Sequence, residues 1–345
     1  MKSEDIGLDK SNLLGIVDAF PEMVKEALRI CECLKSLNKP NCIIISGMGG
    51  SAIAGDLAAD FLRNKQKAPI IVNRNYLIPS FADKNTLFIA SSYSGDTEET
   101  LSALKDAERA GAEIICITSG GKLNEIAAKN KYLKIDLRGG LQPRFALPSF
   151  FISLLKVFEK LGFIEGINSQ IDETNEVLAK IKNACRADVP LRTNPAKQLA
   201  KQLQNKIPVI FCSSGTTEAM GRRLKGQLNE NAKANAILSV MPEMNHNELE
   251  ALDKLKRCEN NFAAIFIRDE EDHIRVNKRI EIVKSMLGAK LGGAHEIPTQ
   301  GKSRLARMFS QLIFIDYFTV YLALLNGVDP ADIQTITKFK KEMLR

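Results

Sequence analysis

A chain of 345 residues with 45% hydrophobic content is long enough for two ordinary domains and too apolar to be disordered. Its 48 basic and 41 acidic residues leave a net charge of +7, scattered instead of gathered into a stripe, which argues against a nucleic-acid groove and suits small anionic ligands. The seven cysteines (Cys31, Cys33, Cys42, Cys116, Cys185, Cys212, Cys258) include no Cys-x-x-Cys pair and read as free thiols. The start, Met1-Lys-Ser-Glu-Asp5, is no secretory signal, and the apolar run 312–325, broken by Asp316, falls short of the roughly 20 residues of a membrane span; a cytoplasmic chain is expected.

Residues 8–37 carry amphipathic helical patterns, with Leu13, Val17 and Phe20 before Pro21 and Val24, Ala27, Leu28, Cys31 and Leu34 after it. The apolar run Cys42-Ile-Ile-Ile45 predicts a buried parallel strand, and 52–62 predicts a helix. Between them lies Ser46-Gly-Met-Gly-Gly-Ser51. A strand that passes through glycines into a helix leaves the first helical N–H groups unpaired, where the helix dipole favours an anion. Gly49 and Gly50 allow close approach of the main chain, and Ser51 adds a hydroxyl; the alternative is a tight connection with no ligand. The spacing is neither Gly-x-Gly-x-x-Gly nor Gly-x-x-x-x-Gly-Lys-Ser/Thr, so neither NAD nor ATP is expected as a cofactor.

Further strands are predicted at 69–72, 86–92, 113–118 and 132–136, with helices at 98–110 and 123–128. Strand, turn and helix recur with Ser, Thr and Gly at the strand ends, which is the pattern of a doubly wound α/β sheet. Helical segments at 149–162 and 171–184 lead to a proline-bearing connection, 188–195. The program then restarts with a strand at 208–213, the turn Ser214-Gly-Thr-Thr217, a helix over 218–233, strands at 236–240 and 262–267 and a helix near 277–287. A long helix over 302–326 ends at Gly327, and Pro330 blocks its continuation. The division is a helical segment at 1–38, a first α/β domain at 39–150, linking helices at 151–199, a second α/β domain at 200–330 and a C-terminal segment at 331–345.

Candidate chemistry lies at the turns. Ser92, Ser94 and Thr97 fall in Ser-Tyr-Ser-Gly-Asp-Thr, as phosphate donors or as helix caps. Two such turns open at one edge of a parallel sheet and can converge on one anion. Arg144, after Gly139-Gly-Leu-Gln-Pro, either clamps an oxyanion or is a solvated loop arginine. Met220, Leu224 and Leu228 form the buried stripe of the 218–233 helix, and Glu230 points away from it, where it could be a surface carboxylate paired with Lys233. His246, in Pro242-Glu-Met-Asn-His-Asn-Glu248, is a proton shuttle or a surface histidine, and three histidines without His-x-His spacing make no zinc site.

Together, Gly47-Met-Gly-Gly-Ser-Ala-Ile-Ala-Gly-Asp56, Ser92-Tyr-Ser-Gly-Asp-Thr97, Gln142-Pro-Arg144, Lys225-Gly-Gln-Leu-Asn-Glu-Asn-Ala-Lys233 and Pro242-Glu-Met-Asn-His-Asn-Glu248 resemble the bifunctional phosphoglucose/phosphomannose isomerases, which are built from two sugar isomerase (SIS) domains. The resemblance runs from about residue 40 to the end. It implies tandem, flavodoxin-like SIS domains and a homodimer with shared active sites. The phosphate would be held by the residues matching Gly49, Gly50, Ser51, Ser92, Ser94 and Thr97. Arg144, Glu230 and His246 would act at the sugar, His246 from the other subunit, along with a C-terminal lysine, Lys340 in preference to Lys341. The expected activity is metal-independent isomerisation of glucose 6-phosphate and mannose 6-phosphate to fructose 6-phosphate through a cis-enediolate, with Glu230 as base. The competing readings are a phosphosugar-binding SIS regulator without catalysis and a different SIS isomerase; an attached DNA-binding domain or an ammonia source would mark them.

Overall fold

The structure is a computed structural model describing residues 7–32, 34, 37–254 and 261–343; Cys33, Cys258 and the first five residues lie outside the described residues. The chain forms two compact units, one of residues 20–175 and one that combines the residues up to Ala19, including helix α1 (Leu13–Asp18), with those from Glu176 onward.

In the 20–175 unit, helix α2 (Phe20–Cys31) precedes a five-stranded sheet of β1 (Cys42–Ser46), β2 (Ile70–Asn73), β3 (Thr86–Ser91), β4 (Glu113–Thr118) and β5 (Leu133–Asp136). Its order is β2-β1-β3-β4-β5 with every pair parallel, the flavodoxin-like winding expected. The isoleucines of β1 are fully buried because helices cover both faces. Helix α3 (Gly49–Leu62) lies close over the sheet: a Cβ at Gly55 would stand 3.1 Å from Ile45 Cγ2 and 3.2 Å from Val72 Cγ2. Helices α4 (Glu98–Ala110) and α5 (Gly121–Asn130) follow β3 and β4, and a 3₁₀ turn, Pro143–Phe145, leads into α6 (Leu147–Lys160). Leu104, Ala107, Leu123 and Ala127 share one buried cluster with Ile44 and Phe88, and Phe151 of α6 packs edge-on against Phe61 of α3.

The chain leaves this unit within α7 (Ile167–Cys185) and continues through α8 (Pro195–Leu203). The second sheet consists of β6 (Ile207–Ser213), β7 (Ile237–Met241), β8 (Phe262–Phe266) and β9 (Ala294–Glu296), parallel in the order β7-β6-β8-β9. Its helices are α9 (Glu218–Glu230), α10 (Glu248–Asp253), α11 (Ile274–Leu287), α12 (Arg304–Leu325) and α13 (Gln334–Met343). The α/β architecture of two wound parallel sheets is therefore present, with helical segments at both ends.

Helix α12 is the spine of the second unit. It extends eight residues before the 312–325 run, and its 22 residues are long and apolar enough to span a bilayer, but 94% of its most apolar window is buried inside the protein. Asp316, read as an interruption, is fully buried and accepts two bonds from Arg223 of α9, at 2.8 and 2.7 Å. Cys31, Cys42, Cys116, Cys185 and Cys212 are buried free thiols, and burial pushes Cys116 up to about 12 and Cys185 to about 11.

Candidate active site

The carboxyl edge of the first sheet is where the predicted anion site converges. Helix α3 begins at Gly49, three residues earlier than the apolar pattern suggests, so the two glycines and Ser51 form its first turn. Met48 stands before it in extended conformation, and its carbonyl accepts the first intrahelical bonds, from Ser51 at 3.1 Å and Ala52 at 3.4 Å. The N–H groups of Gly49 and Gly50 thus precede the helical ladder and face the turn. Gly49 has φ 52, a conformation that favours glycine.

The second turn lies alongside because β1 pairs with β3. The Ser51 carbonyl lies 3.5 Å from Ser91 Oγ, and a Cβ on Gly47 would stand 2.7 Å from the Ser91 carbonyl. Thr97 occupies the N-cap position of α4, yet its side chain does not cap the helix. Its hydroxyl pairs instead with Ser92 Oγ at 2.8 Å, and Ser92 Oγ also accepts from Gly95 N–H at 3.1 Å. Ser94 Oγ accepts from Asp96 N–H at 3.3 Å and is exposed, a local turn bond and not a cap for α4.

Arg144 enters the same edge. A Cβ on Gly50 would meet the Pro143 carbonyl oxygen at 3.0 Å and Arg144 Cα at 3.1 Å, so the 3₁₀ turn rests on the first turn of α3. Arg144 is 3% exposed, with its guanidinium carbon 5.4 Å from the Phe145 ring centre. The solvated-loop alternative is therefore wrong: close packing on a glycine holds this arginine inside. Tyr93, which the sequence reading passed over, secures its approach. The Tyr93 hydroxyl donates to the Arg138 carbonyl at 2.8 Å and accepts from Leu141 N–H at 2.9 Å, pinning the loop before Arg144. Burial is the main force holding the Tyr93 phenol above its usual range, so it remains a donor at neutral pH.

Glu230, His246 and Lys340 belong to the other unit. Glu230 is half-buried at the last position of α9, and the helix stops there instead of running to Lys233. The Lys233 ammonium donates to the carbonyl of Glu230 at 2.8 Å. Three polar side chains at four-residue spacing, two on α9 and one at its C-cap, are buried against α12. Arg223 and Gln227 reach Asp316, the latter at 2.7 Å, and Asn231 reaches Thr319 at 3.1 Å. Met220, Leu224 and Leu228 are buried as the apolar stripe predicts. His246 is exposed at the end of a 3₁₀ turn, Glu243–His246, and the buried Met244 fixes that turn against the sheet. Lys340 and Lys341 are exposed on α13, none of whose described side chains is buried.

The second sheet repeats the strand-turn-helix plan with different chemistry. At the end of β6, Thr217 Oγ1 accepts from Ser213 N–H at 2.8 Å, and Thr216 is hydrogen-bonded to the Asp272 carboxylate, whose second oxygen accepts from Asp269 N–H at 3.0 Å. The loop after β8 carries Asp269, Glu270, Glu271 and Asp272 where the loop after β3 carries hydroxyls and glycine. Arg307 of α12 binds Asp269, Glu270 and Glu271. An internal ion-pair network of these acids with Arg304 and Arg307 occupies this edge.

Comparison with known proteins identifies both α/β domains. Residues 36–142 match the SIS domain family, and residues 192–343 match the bacterial phospho-glucose isomerase C-terminal SIS domain. A curated bifunctional phosphoglucose/phosphomannose isomerase of Caldicellulosiruptor bescii is 44% identical over 94% of this chain and 96% of its own. Another of that name, from Thermoplasma acidophilum, is 36% identical over 87% of this chain and 89% of its own. Among solved structures, the C-terminal domain of glucosamine-fructose-6-phosphate aminotransferase from Francisella tularensis superposes with a TM-score of 0.69 over 92% of this chain and 97% of that one; at 17% identity it speaks to the fold alone.

Proposed function

The chain belongs to the bifunctional phosphoglucose/phosphomannose isomerase family, and from that membership we propose how its residues interconvert glucose 6-phosphate, mannose 6-phosphate and fructose 6-phosphate. It is a sugar-phosphate isomerase of two SIS domains. The observation that carries the reading is the gathering of Gly49, Gly50, Ser51, Ser92, Ser94, Thr97 and the buried Arg144 at one sheet edge.

In this reading the amides of Gly49 and Gly50 and the three serine hydroxyls hold the phosphate with Thr97. The phosphate is a remote handle whose binding energy fixes the reacting end of the sugar. Ring opening needs a proton donor and acceptor at the ring oxygen and the anomeric hydroxyl, roles for His246 of a second subunit and for Lys340. Glu230 removes the C2 proton of the open aldose and returns it to C1, and Arg144 stabilises the enediolate oxygen. Glucose and mannose 6-phosphates differ at C2 and share one enediolate. Rotation about C2–C3 presents its other face to the same base, so one site serves both sugars and no step requires a metal. A cytoplasmic homodimer with shared sites is the assembly this scheme calls for.

The test is a coupled assay of fructose 6-phosphate formation from each aldose, with and without a strong chelator. Conversion of both with chelator present is expected. Activity abolished by the chelator and restored by a divalent metal refutes the metal-free scheme.

A further inference from the structure

Helix α9 ends on Glu230, and the groups that finish it do more than terminate a helix. The last carbonyls of any α-helix lack intrahelical donors and are most often completed by a glycine in left-handed conformation just beyond the end. Here a lysine occupies that conformation, Lys233, at φ 51. Its side chain turns back so that Nζ donates to the carbonyls of Glu230 at 2.8 Å and Asn231 at 3.3 Å. The same ammonium donates to the main-chain carbonyl of Asp329 at 2.8 Å, with the Pro330 carbonyl beside it at 3.4 Å. Asn326 completes the set by donating to the Ala232 carbonyl at 3.0 Å, and Ala234 N–H returns to Leu228 at 3.0 Å.

A lysine accepts a steric cost at this φ that glycine would avoid. What the side chain adds is a link between two stretches distant in sequence. One is the helix end that carries Glu230. The other is the 329–330 turn, from which the chain enters α13 and its Lys340, with Asp329 Oδ1 accepting from Ala331 N–H at 2.8 Å and Asp332 Oδ1 from Gln334 N–H at 2.9 Å. Arg223, Gln227 and Asn231 already fix the rotation of α9 against α12. Arg223 and Gln227 grip one face of the helix and Asn231 holds its cap to α12, while the ammonium of Lys233 adds the link to the 329–330 turn.

We propose that Lys233 is a positioning residue: its ammonium ties the last turn of α9 to the root of α13, setting Glu230 and Lys340 relative to each other. The proposal rests on the assignment of Glu230 as the base. It makes Lys233 a residue that touches no substrate and acts through the carbonyls it gathers.

Two substitutions separate this role from mere helix termination. Lys233→Gly removes the ammonium and relieves the left-handed backbone; Lys233→Met removes the ammonium but keeps the backbone cost. Full-length variants are assayed for kcat and KM with fructose 6-phosphate and for Tm, with Glu230→Gln alongside. Both Lys233 variants are expected to lose about tenfold to a hundredfold in kcat with KM within about twofold, the size of effect a small misplacement of a catalytic group produces. The glycine variant is expected to keep its Tm or exceed that of the methionine variant. Wild-type kcat in Lys233→Gly, or a loss of kcat confined to the variant of lower Tm, overturns the positioning role. If Glu230→Gln is fully active, the base assignment fails and takes the proposal with it; if Glu230→Gln is inactive while Lys233→Gly is normal, the proposal alone fails.

Discussion

Gly50→Ala probes the contact that brings Arg144 to the anion site. Gly50 lies inside the first turn of α3 and, unlike Gly49, does not use positive φ, so alanine fits the backbone and gains about 1 kcal/mol in helix propensity. The difficulty is space. The new Cβ would lie 3.0 Å from the Pro143 carbonyl oxygen and 3.1 Å from Arg144 Cα, both main-chain atoms with no rotamer to yield. Restoring ordinary contact requires the turn to retreat by roughly 0.4 Å or strain to be shared with α3, an overpacking cost of about 1–3 kcal/mol. Set against the propensity gain, the net destabilisation is about 0–2 kcal/mol, only a few degrees in Tm. Activity should suffer more, because the displaced atom is the Cα of Arg144. A loss of about tenfold to a hundredfold in kcat/KM is expected in the coupled assay. Gly49→Ala is the control: nothing lies within 4 Å of its added Cβ, but φ 52 imposes backbone strain of about 1–2 kcal/mol. Its Tm should fall by a comparable few degrees without displacing the Arg144 turn. Wild-type kcat/KM in Gly50→Ala refutes the idea that this glycine seats the arginine.

Arg144→Lys keeps the charge but loses the planar fork, and should cost about 10²–10³ in kcat while the affinity for inorganic phosphate changes far less; equal losses in both would place the arginine at the phosphate. Arg223→Met takes the guanidinium from the buried Asp316 carboxylate, to which Gln227 still donates, and urea unfolding should show a loss of about 3–5 kcal/mol, largely recovered when Asp316→Leu is added; a single variant as stable as wild type contradicts the buried-pair account. Burial holds His295 below its usual pKa, so the fold favours the neutral ring. Its contribution is complete above the unfolded value of about 6.5 and is lost as pH falls from there through the lowered folded value. Tm should decline between pH 7 and pH 5, and His295→Asn should flatten that decline; an unchanged slope in the variant removes His295 as the cause.

Much of the first unit could be read from the chain because its signals are local. Cys42-Ile-Ile-Ile45 has no polar residue to expose, and α4 and β4 begin and end where their patterns change. Elements set by tertiary contacts were harder to read. Helix α8 hides behind Pro195, which looks like a breaker but stands in the helix's first turn, after Asn194 accepts from Lys197 N–H. Strand β9, Ala294-His-Glu296, is too short and polar to show a period, and its pairing with β8 makes it a strand. Helix α9 ends three residues short of the 218–233 pattern, since nothing in the letters reveals that Lys233 leaves helical φ. The hydroxyl turns were visible as candidates, since Ser, Thr and Gly at strand ends state their chemistry directly. The burial of Arg144 was not, because it depends on a glycine more than ninety residues earlier leaving room for the turn.

The most direct test of the account is a crystal structure of the full-length protein with fructose 6-phosphate or a planar enediolate analogue bound. The account predicts the phosphate against the Gly49, Gly50 and Ser51 amides and the Ser92 and Ser94 hydroxyls, with a Glu230 carboxylate oxygen about 3–3.5 Å from C1 and C2. A sugar phosphate bound elsewhere, or bound there with Glu230 beyond reach of both carbons in every subunit, would contradict it.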